Sequence, residues 1–229
     1  MIKNFKILAV VPARGGSKGI KLKNLRKING KPLISIVADF IKQCKFLDYS
    51  VISTDHFKIA KLGKQKGLTL IRRPKNLSGD KVSDLKVLIH ATKEFEKKYS
   101  KKVDIVVMLH PTSPLRKKKD LFQTIQLLVK NQKDSVWTIS KTSDKYHPMK
   151  QLTFKNGNLK YYSKKGSKIF YRQQLGQIYH RNSNSYVIWK KILLKRKTLM
   201  TNNTGGFIVN SPQVSIDNEN DIKFIKNYF

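Results

Sequence analysis

Acidic residues are scarce in this chain. Its 229 residues hold 14 Asp and Glu against 48 Lys and Arg, a formal net charge of +34. Such an excess fits either a nucleic-acid or anionic-membrane surface, or a lysine-rich solvated surface that attracts small anions. The basic residues are mostly lysine and run along the whole chain, without the clusters of Arg forks and aromatic platforms used to read bases. Specific nucleic-acid recognition is therefore not expected. Cysteine is nearly absent: Cys44 stands alone, which excludes an internal disulfide and fits a reducing, cytoplasmic setting. Long apolar runs are missing too. The longest, Ile7–Val11 and Ile105–Leu109, are far too short to cross a bilayer, and no signal-peptide core precedes the first of them, so no membrane partner is expected. The five histidines are scattered, and none sits in a nucleophile motif. What is present, 39% hydrophobic and 10% aromatic residues, supports a globular core in one large or two small domains.

The chain is organised around Lys6-Ile-Leu-Ala-Val-Val-Pro-Ala-Arg-Gly-Gly-Ser-Lys-Gly-Ile-Lys-Leu-Lys-Asn24. Ile7–Val11 reads as a buried strand, and Pro12, which lacks an N–H, ends it. Arg14, Gly15, Gly16, Ser17, Lys18 and Gly19 follow. Glycines let the backbone turn sharply and approach a ligand, and loop N–H groups with Arg14 and Lys18 suit an anion. The spacing is neither that of a P-loop nor that of the dinucleotide fingerprint.

Beyond the loop, strand and helix patterns alternate. Lys31–Lys42 reads as a helix with Pro32 in its first turn. Strands follow at Tyr49–Ser53 and Leu68–Ile71, with a helix over Phe57–Lys66 between them. A helix at Asp84–Tyr99 precedes Val103–Leu109, a strand apolar throughout and hence central. Lys119–Lys130 reads as a helix and Ser135–Ser140 as a strand. This rhythm gives parallel βαβ units: an α/β fold, a mostly parallel Rossmann-like sheet with helices on both faces. Ligands of such sheets bind at the strands' carboxyl ends, so Arg14, Asp55 and Arg72 should share one rim. From Lys141 to about Ile178 the rhythm breaks, and Asn156-Gly157 between alternating residues signals an inserted antiparallel hairpin. The expected organisation is a single domain over 1–229, with 141–178 as a lid or dimerisation arm.

Four ordered motifs resemble the acylneuraminate cytidylyltransferases, the CMP-sialic acid synthetases and their relatives. They are Pro12-Ala-Arg-Gly-Gly-Ser-Lys-Gly-Ile20 with Lys23-Asn24; His110-Pro-Thr-Ser-Pro-Leu-Arg116; Arg172-Gln-Gln-Leu-Gly-Gln-Ile-Tyr-His-Arg-Asn182; and the tail Gln213-Val-Ser-Ile-Asp-Asn-Glu-Asn-Asp221, with Arg73-Pro-Lys-Asn-Leu-Ser-Gly-Asp80 also similar. The resemblance implies a nucleotidyltransferase that passes CMP from CTP to an acidic nine-carbon 2-keto sugar and releases pyrophosphate. It implies that Arg14, Gly15, Ser17, Lys18, Asn24, Ser78, His110 and Asn182 bind the nucleotide. Arg172, Gln173 and Tyr179 would bind the sugar acid, and Arg14, Lys18 and Asp217 would carry catalysis. Asp217 would also hold Mg2+, and a homodimer would form through the inserted arm. The chain departs from the family pattern at four places. Lys21 replaces a proline, His110 a base-reading glutamine, Ser183 a glycine, and Ser215 the first of two metal-binding aspartates. A nucleotidyltransferase for another sugar and a non-catalytic binder of the same fold remain the alternatives; the Arg172–Asn182 motif argues against the first, and Ser215 favours the second.

Overall fold

The computed structural model describes residues 2–17 and 19–228. Its centre is a seven-stranded sheet that grows from the apolar runs of the sequence. β1 (Ile7–Pro12) is buried along its first five residues. It includes Pro12, which lies opposite Ser53, because the following Ala13 N–H carries the ladder on to the Ser53 carbonyl. A small ribbon of β2 (Lys27–Ile28) and β3 (Lys31–Pro32) follows. It shortens the first helix: α1 spans Leu33–Gln43, and Pro32 caps it rather than opening its first turn. Next come β4 (Tyr49–Thr54), α2 (Phe57–Gln65), β5 (Thr69–Arg72), α3 (Asp84–Tyr99), β6 (Ile105–Met108), α4 (Lys118–Lys130) and β7 (Ser135–Lys141). β8 (Leu152–Lys155) and β9 (Asn158–Tyr161) form the hairpin at Asn156-Gly157. β10 (Tyr179–Trp189), α5 (Lys190–Arg196), β11 (Thr204–Ile208) and α6 (Glu219–Ile225) complete the chain.

The sheet order is β11-β7-β10-β6-β1-β4-β5. β6, the strand read as central, is the middle one. β10 runs antiparallel to both its neighbours, and the other pairings are parallel. Alternate residues of β1 feed two cores. Ile7, Ala9 and Val11 pack with α1, α2 and α4 on one face; Leu8 and Val10 pack with α3 and α5 on the other. A third, smaller core joins Ile20, Ile28 and Leu33 to Ile216, Ile222 and Ile225. It matters for function, because it anchors the chain's last segment beneath the glycine-rich loop. Among the described residues no helix is long and apolar enough to cross a membrane.

Candidate functional site

A cleft of about 410 Å³ opens where β1, β4, β5 and β6 end, the rim that a parallel sheet reserves for ligands. Arg14, Ser17 and Asn24 line it, as does Asp217 from the tail segment. So do Arg73, Asp80, Asp84, His110 and Thr112.

The glycine-rich loop is held in shape by polar partners. Asn24 is buried and its amide Nδ2 donates to the Arg14 carbonyl at 2.9 Å. Gly15 N–H donates to Asp55 Oδ1 at 2.9 Å, and Ser17 N–H to the Gly15 carbonyl. These two amides therefore brace the loop and are not free to converge on an anion. Gly15 carries no side chain because a Cβ there would stand 2.7 Å from the His56 ring. The loop also presents Arg14 to the cleft, with Nη1 2.6 Å from Asp80 Oδ1. Lys18 lies outside the described residues.

The tail closes the cleft. Lys23 Nζ reaches Asp217 Oδ1 at 2.8 Å and the Ile216 carbonyl at 2.9 Å, while Ile216 N–H donates to the Thr112 carbonyl. Gly19 permits this approach, since a Cβ would sit 2.5 Å from the Asp217 carbonyl oxygen. Asp221 caps α6 together with Asn218 and also accepts from Asp217 N–H at 2.7 Å. Residues 215 and 217 do not alternate along a strand, because this stretch forms none. Ser215 is exposed, and among the described residues no three His, Cys, Asp or Glu side chains converge as a metal cage. Of the three carboxylates in the lining, Asp80 and Asp84 pair with Arg14 and His110, and Asp217 Oδ1 meets Lys23 Nζ. A single tail carboxylate suits a Mg2+ ion that keeps several waters and takes its remaining ligands from substrate phosphates.

Val82 and Val87 add apolar side chains to the lining. Arg73, rather than the exposed Arg72, enters it. The Arg73 guanidinium is buried and held by Ser53, with Nη2 on the carbonyl at 2.7 Å and Nε on Oγ at 3.2 Å. Burial pushes its pKa down, and the carboxylates of Asp55 and Asp84 act against that push. His110 Nε2 lies 3.4 Å from Asp84 Oδ2. Burial works to raise the Asp84 pKa. The hydrogen bond and charge of His110, with Arg73 and Arg181, outweigh it and hold the carboxyl below its usual value. Behind the site, Arg116 is buried and donates to the carbonyls of His110 and Asn184.

Several sequence-derived site residues lie elsewhere. Ser78 does not line the cleft; its hydroxyl donates to the Pro74 carbonyl at 2.9 Å within a turn. Nor does it cap α3, which starts from Ser83. Asn182 is buried in an irregular stretch of β10, where its side chain bonds Ser140 Oγ at 3.0 Å and Asn184 N–H at 3.1 Å. The next residue, Ser183, has φ 56, a left-handed backbone that glycine adopts more easily. Arg172 pairs with Asp144 and borders a separate shallow groove with Lys141 and Thr142. Gln173 lines a neighbouring groove, and Tyr179 begins β10 opposite Lys141. Within one chain these three residues are not gathered at the cleft of the strand ends. Conversely, Arg73 and Asp84 line the cleft although the sequence marks the first only as the head of the Arg73–Asp80 segment and the second only as an acid in a helix first turn.

Comparison with known proteins agrees with this geometry. Residues 8–226 match the cytidylyltransferase family. The chain is 30% identical over 223 residues to the post-translational flagellin modification protein B of Campylobacter coli, covering 96% of this chain and 94% of that one. It is 30% identical over 217 residues to the CMP-N,N'-diacetyllegionaminic acid synthase of Legionella pneumophila, covering 93% and 90%. In fold it is similar to a CMP:2-keto-3-deoxy-manno-octonic acid synthetase solved with CTP, with a TM-score of 0.73 at 17% identity, covering 97% and 98%. The loop, the cleft at the strand ends and these matches together show that the chain belongs to the cytidylyltransferase family.

Proposed function

We propose that this enzyme transfers CMP from CTP to the anomeric hydroxyl of a nine-carbon 2-keto sugar acid. The hydroxyl oxygen bonds to the α-phosphorus, the bond to pyrophosphate breaks, and the hydroxyl proton passes to solvent. The observation that carries this reading is the cleft at the strand ends, where Arg14 and Arg73 supply cationic charge for the triphosphate beside the apolar Val82 and Val87 and the ring of His110. Relatives named for CMP-legionaminic acid synthesis support the acceptor class.

Arg14 is expected to leave Asp80 for the phosphates and offset charge as pyrophosphate departs. Lys18 would add a second cation. Asp217 would hold Mg2+, which supplies charge neutralisation on the phosphates. No side chain in the cleft is assigned as a general base, and positioning with electrostatics suffices for such transfers. The exposed Arg172, with Gln173 and Tyr179, would meet the sugar carboxylate only if another copy of the chain brought its cleft to them. The hairpin favours that arrangement. Leu152, Phe154, Leu159 and Tyr161 share one face by register and are all exposed, which suits a homodimer contact. The reduced, buried Cys44 fits work in the cytoplasm, where CTP is made.

The test is pyrophosphate release from CTP with Mg2+ across sialic, legionaminic, pseudaminic and octulosonic acids. Release with a nine-carbon acid is the expected result. Release only with the octulosonic acid would replace the acceptor. CTP binding without release from any acid would overturn the catalytic reading and point to the missing carboxylate at Ser215.

A further inference from the structure

A second cavity, of about 970 Å³, shares no lining residue with the cleft at the strand ends. It lies among the stretch ahead of β1, the connection from α1 to β4, and α4. Ile2, Phe5, Phe46 and Phe122 give it apolar side chains. Ring contacts brace them: Phe46 meets Phe122 edge-on with centroids 5.3 Å apart, and Phe5 meets Trp189 at 4.9 Å. The three phenylalanines pack against the main core but remain partly exposed. An occupant would therefore remove further apolar surface from water. The volume is that of a small-molecule site.

Charge in this lining is one-sided. Lys45, Lys118 and Lys119 belong to it and are exposed. Among the described residues none of the three forms an ion pair. Asp48 also lines the cavity, but its carboxylate is engaged: Oδ1 accepts from Lys6 Nζ and Oδ2 from Ile7 N–H, both at 2.9 Å. Lys118 and Lys119 open α4, whose N-cap Lys117 makes no side-chain hydrogen bond. The positive end of that helix dipole adds to their charge.

Apolar side chains and unpaired cations in one cavity match an amphipathic anion. A nucleotide or a sugar acid would leave the phenylalanines uncovered. A second copy meeting the same face would set these lysines against their own counterparts. A bilayer takes up apolar side chains that project from a surface, whereas these line a concavity. We propose that the cavity is a second ligand site, for a free medium-chain carboxylate, whose alkyl chain covers the phenylalanines while its head group pairs with the lysines. The inference is independent of the reading of the cleft, because its readout is binding at a separate place.

The experiment is calorimetric titration of the full-length protein with decanoate, below micelle formation. Saturable binding is expected. Octanoate, two methylenes shorter, should bind about tenfold more weakly. Decanol keeps the chain but lacks the charge, and it should also lose about tenfold. Lys118→Glu with Lys119→Glu reverses the charge on exposed side chains in a first turn that tolerates acids. It should weaken decanoate by about tenfold or more and leave decanol unchanged. Gln126→Trp, at another lining residue, fills the cavity and should weaken both. At 0.15 M salt CTP affinity should stay within about twofold in these variants, since the surface charge is then screened. Equal affinity for decanoate and decanol, or decanoate binding that neither variant alters, would overturn the proposal. So would a failure to take up decanoate. In that case lysine-dependent binding to anionic phospholipid vesicles would make this face a membrane contact, and self-association lost in Gln126→Trp would make it a contact between copies.

Discussion

At the residue scale, the site depends on close approach between segments distant in sequence. Gly19 is the sharpest case. A methyl group there would stand 2.5 Å from the Asp217 carbonyl oxygen, and a backbone atom cannot swing aside as a side-chain tip can. Gly19→Ala should therefore push the tail away from the loop, lengthen the Lys23–Asp217 contact and misplace the carboxylate assigned to the metal. Because positioning errors of about 1 Å can cost 10²-fold, turnover is expected to fall by about that factor. The melting temperature should drop only modestly, since Ile216 and Ile225 remain in their small core. Higher Mg2+ should partly restore the rate. Turnover within twofold of wild type would show that the tail carboxylate does not serve the reaction.

The Arg14 loop, Asn24 and Asp217 are legible in the sequence as candidates because each lies in an ordered motif, and the fold gathers them at one rim. Ser78 and Asn182 carry the right residue types, but their polar atoms bond neighbours in the chain. The role of Arg73 was hidden by its twin, Arg72. Only the depth of the cleft and the two bonds to Ser53 separate them.

At the element scale, periodicity placed most strands and helices, because each buries an apolar stripe on one shared sheet. β11 escaped it: Thr204-Gly-Gly carries no apolar stripe, yet these residues pair with β7. A Cβ at Gly206 would meet Ile139 Cδ1 at 2.7 Å, so the glycine marks side-chain crowding from the adjacent strand. The hairpin, by contrast, was signalled fully. Asn156 and Gly157 have φ 50 and 77, the left-handed pair that a two-residue turn requires. Its apolar face is solvent-exposed, with Phe154 at 72% and Leu159 at 64%. A two-stranded hairpin alone is marginal in water, which favours a covering surface. Wild type should sediment as a dimer at micromolar concentration. Phe154→Ser with Leu159→Ser should yield monomers of nearly unchanged melting temperature, because neither side chain enters the main core. A monomeric wild type would rule out this face as the contact. If monomers form and also lose affinity for the sugar acid, Arg172 would gain a role across the interface.

At the scale of the whole molecule, the charge of +34 acts on substrates rather than on the fold. CTP and a sugar acid are both anions, and their capture gains from a long-range positive potential. That potential reaches roughly 30 Å at 0.01 M salt but only about 8 Å at 0.15 M. A cation in the cleft such as Arg14 acts at contact range and is screened far less. The two effects therefore separate in kinetics. Raising ionic strength over this range, at fixed free Mg2+, should lower kcat/KM for CTP by about tenfold while kcat moves much less. The slope against salt should be shallower for the sugar acid, which bears fewer charges than the triphosphate. A flat kcat/KM would mean that the surface lysines serve solvation alone and that binding is governed by the few cations in the cleft. A rise of kcat with salt would identify pyrophosphate release as the slow step, because the field that captures one polyanion also retains the other.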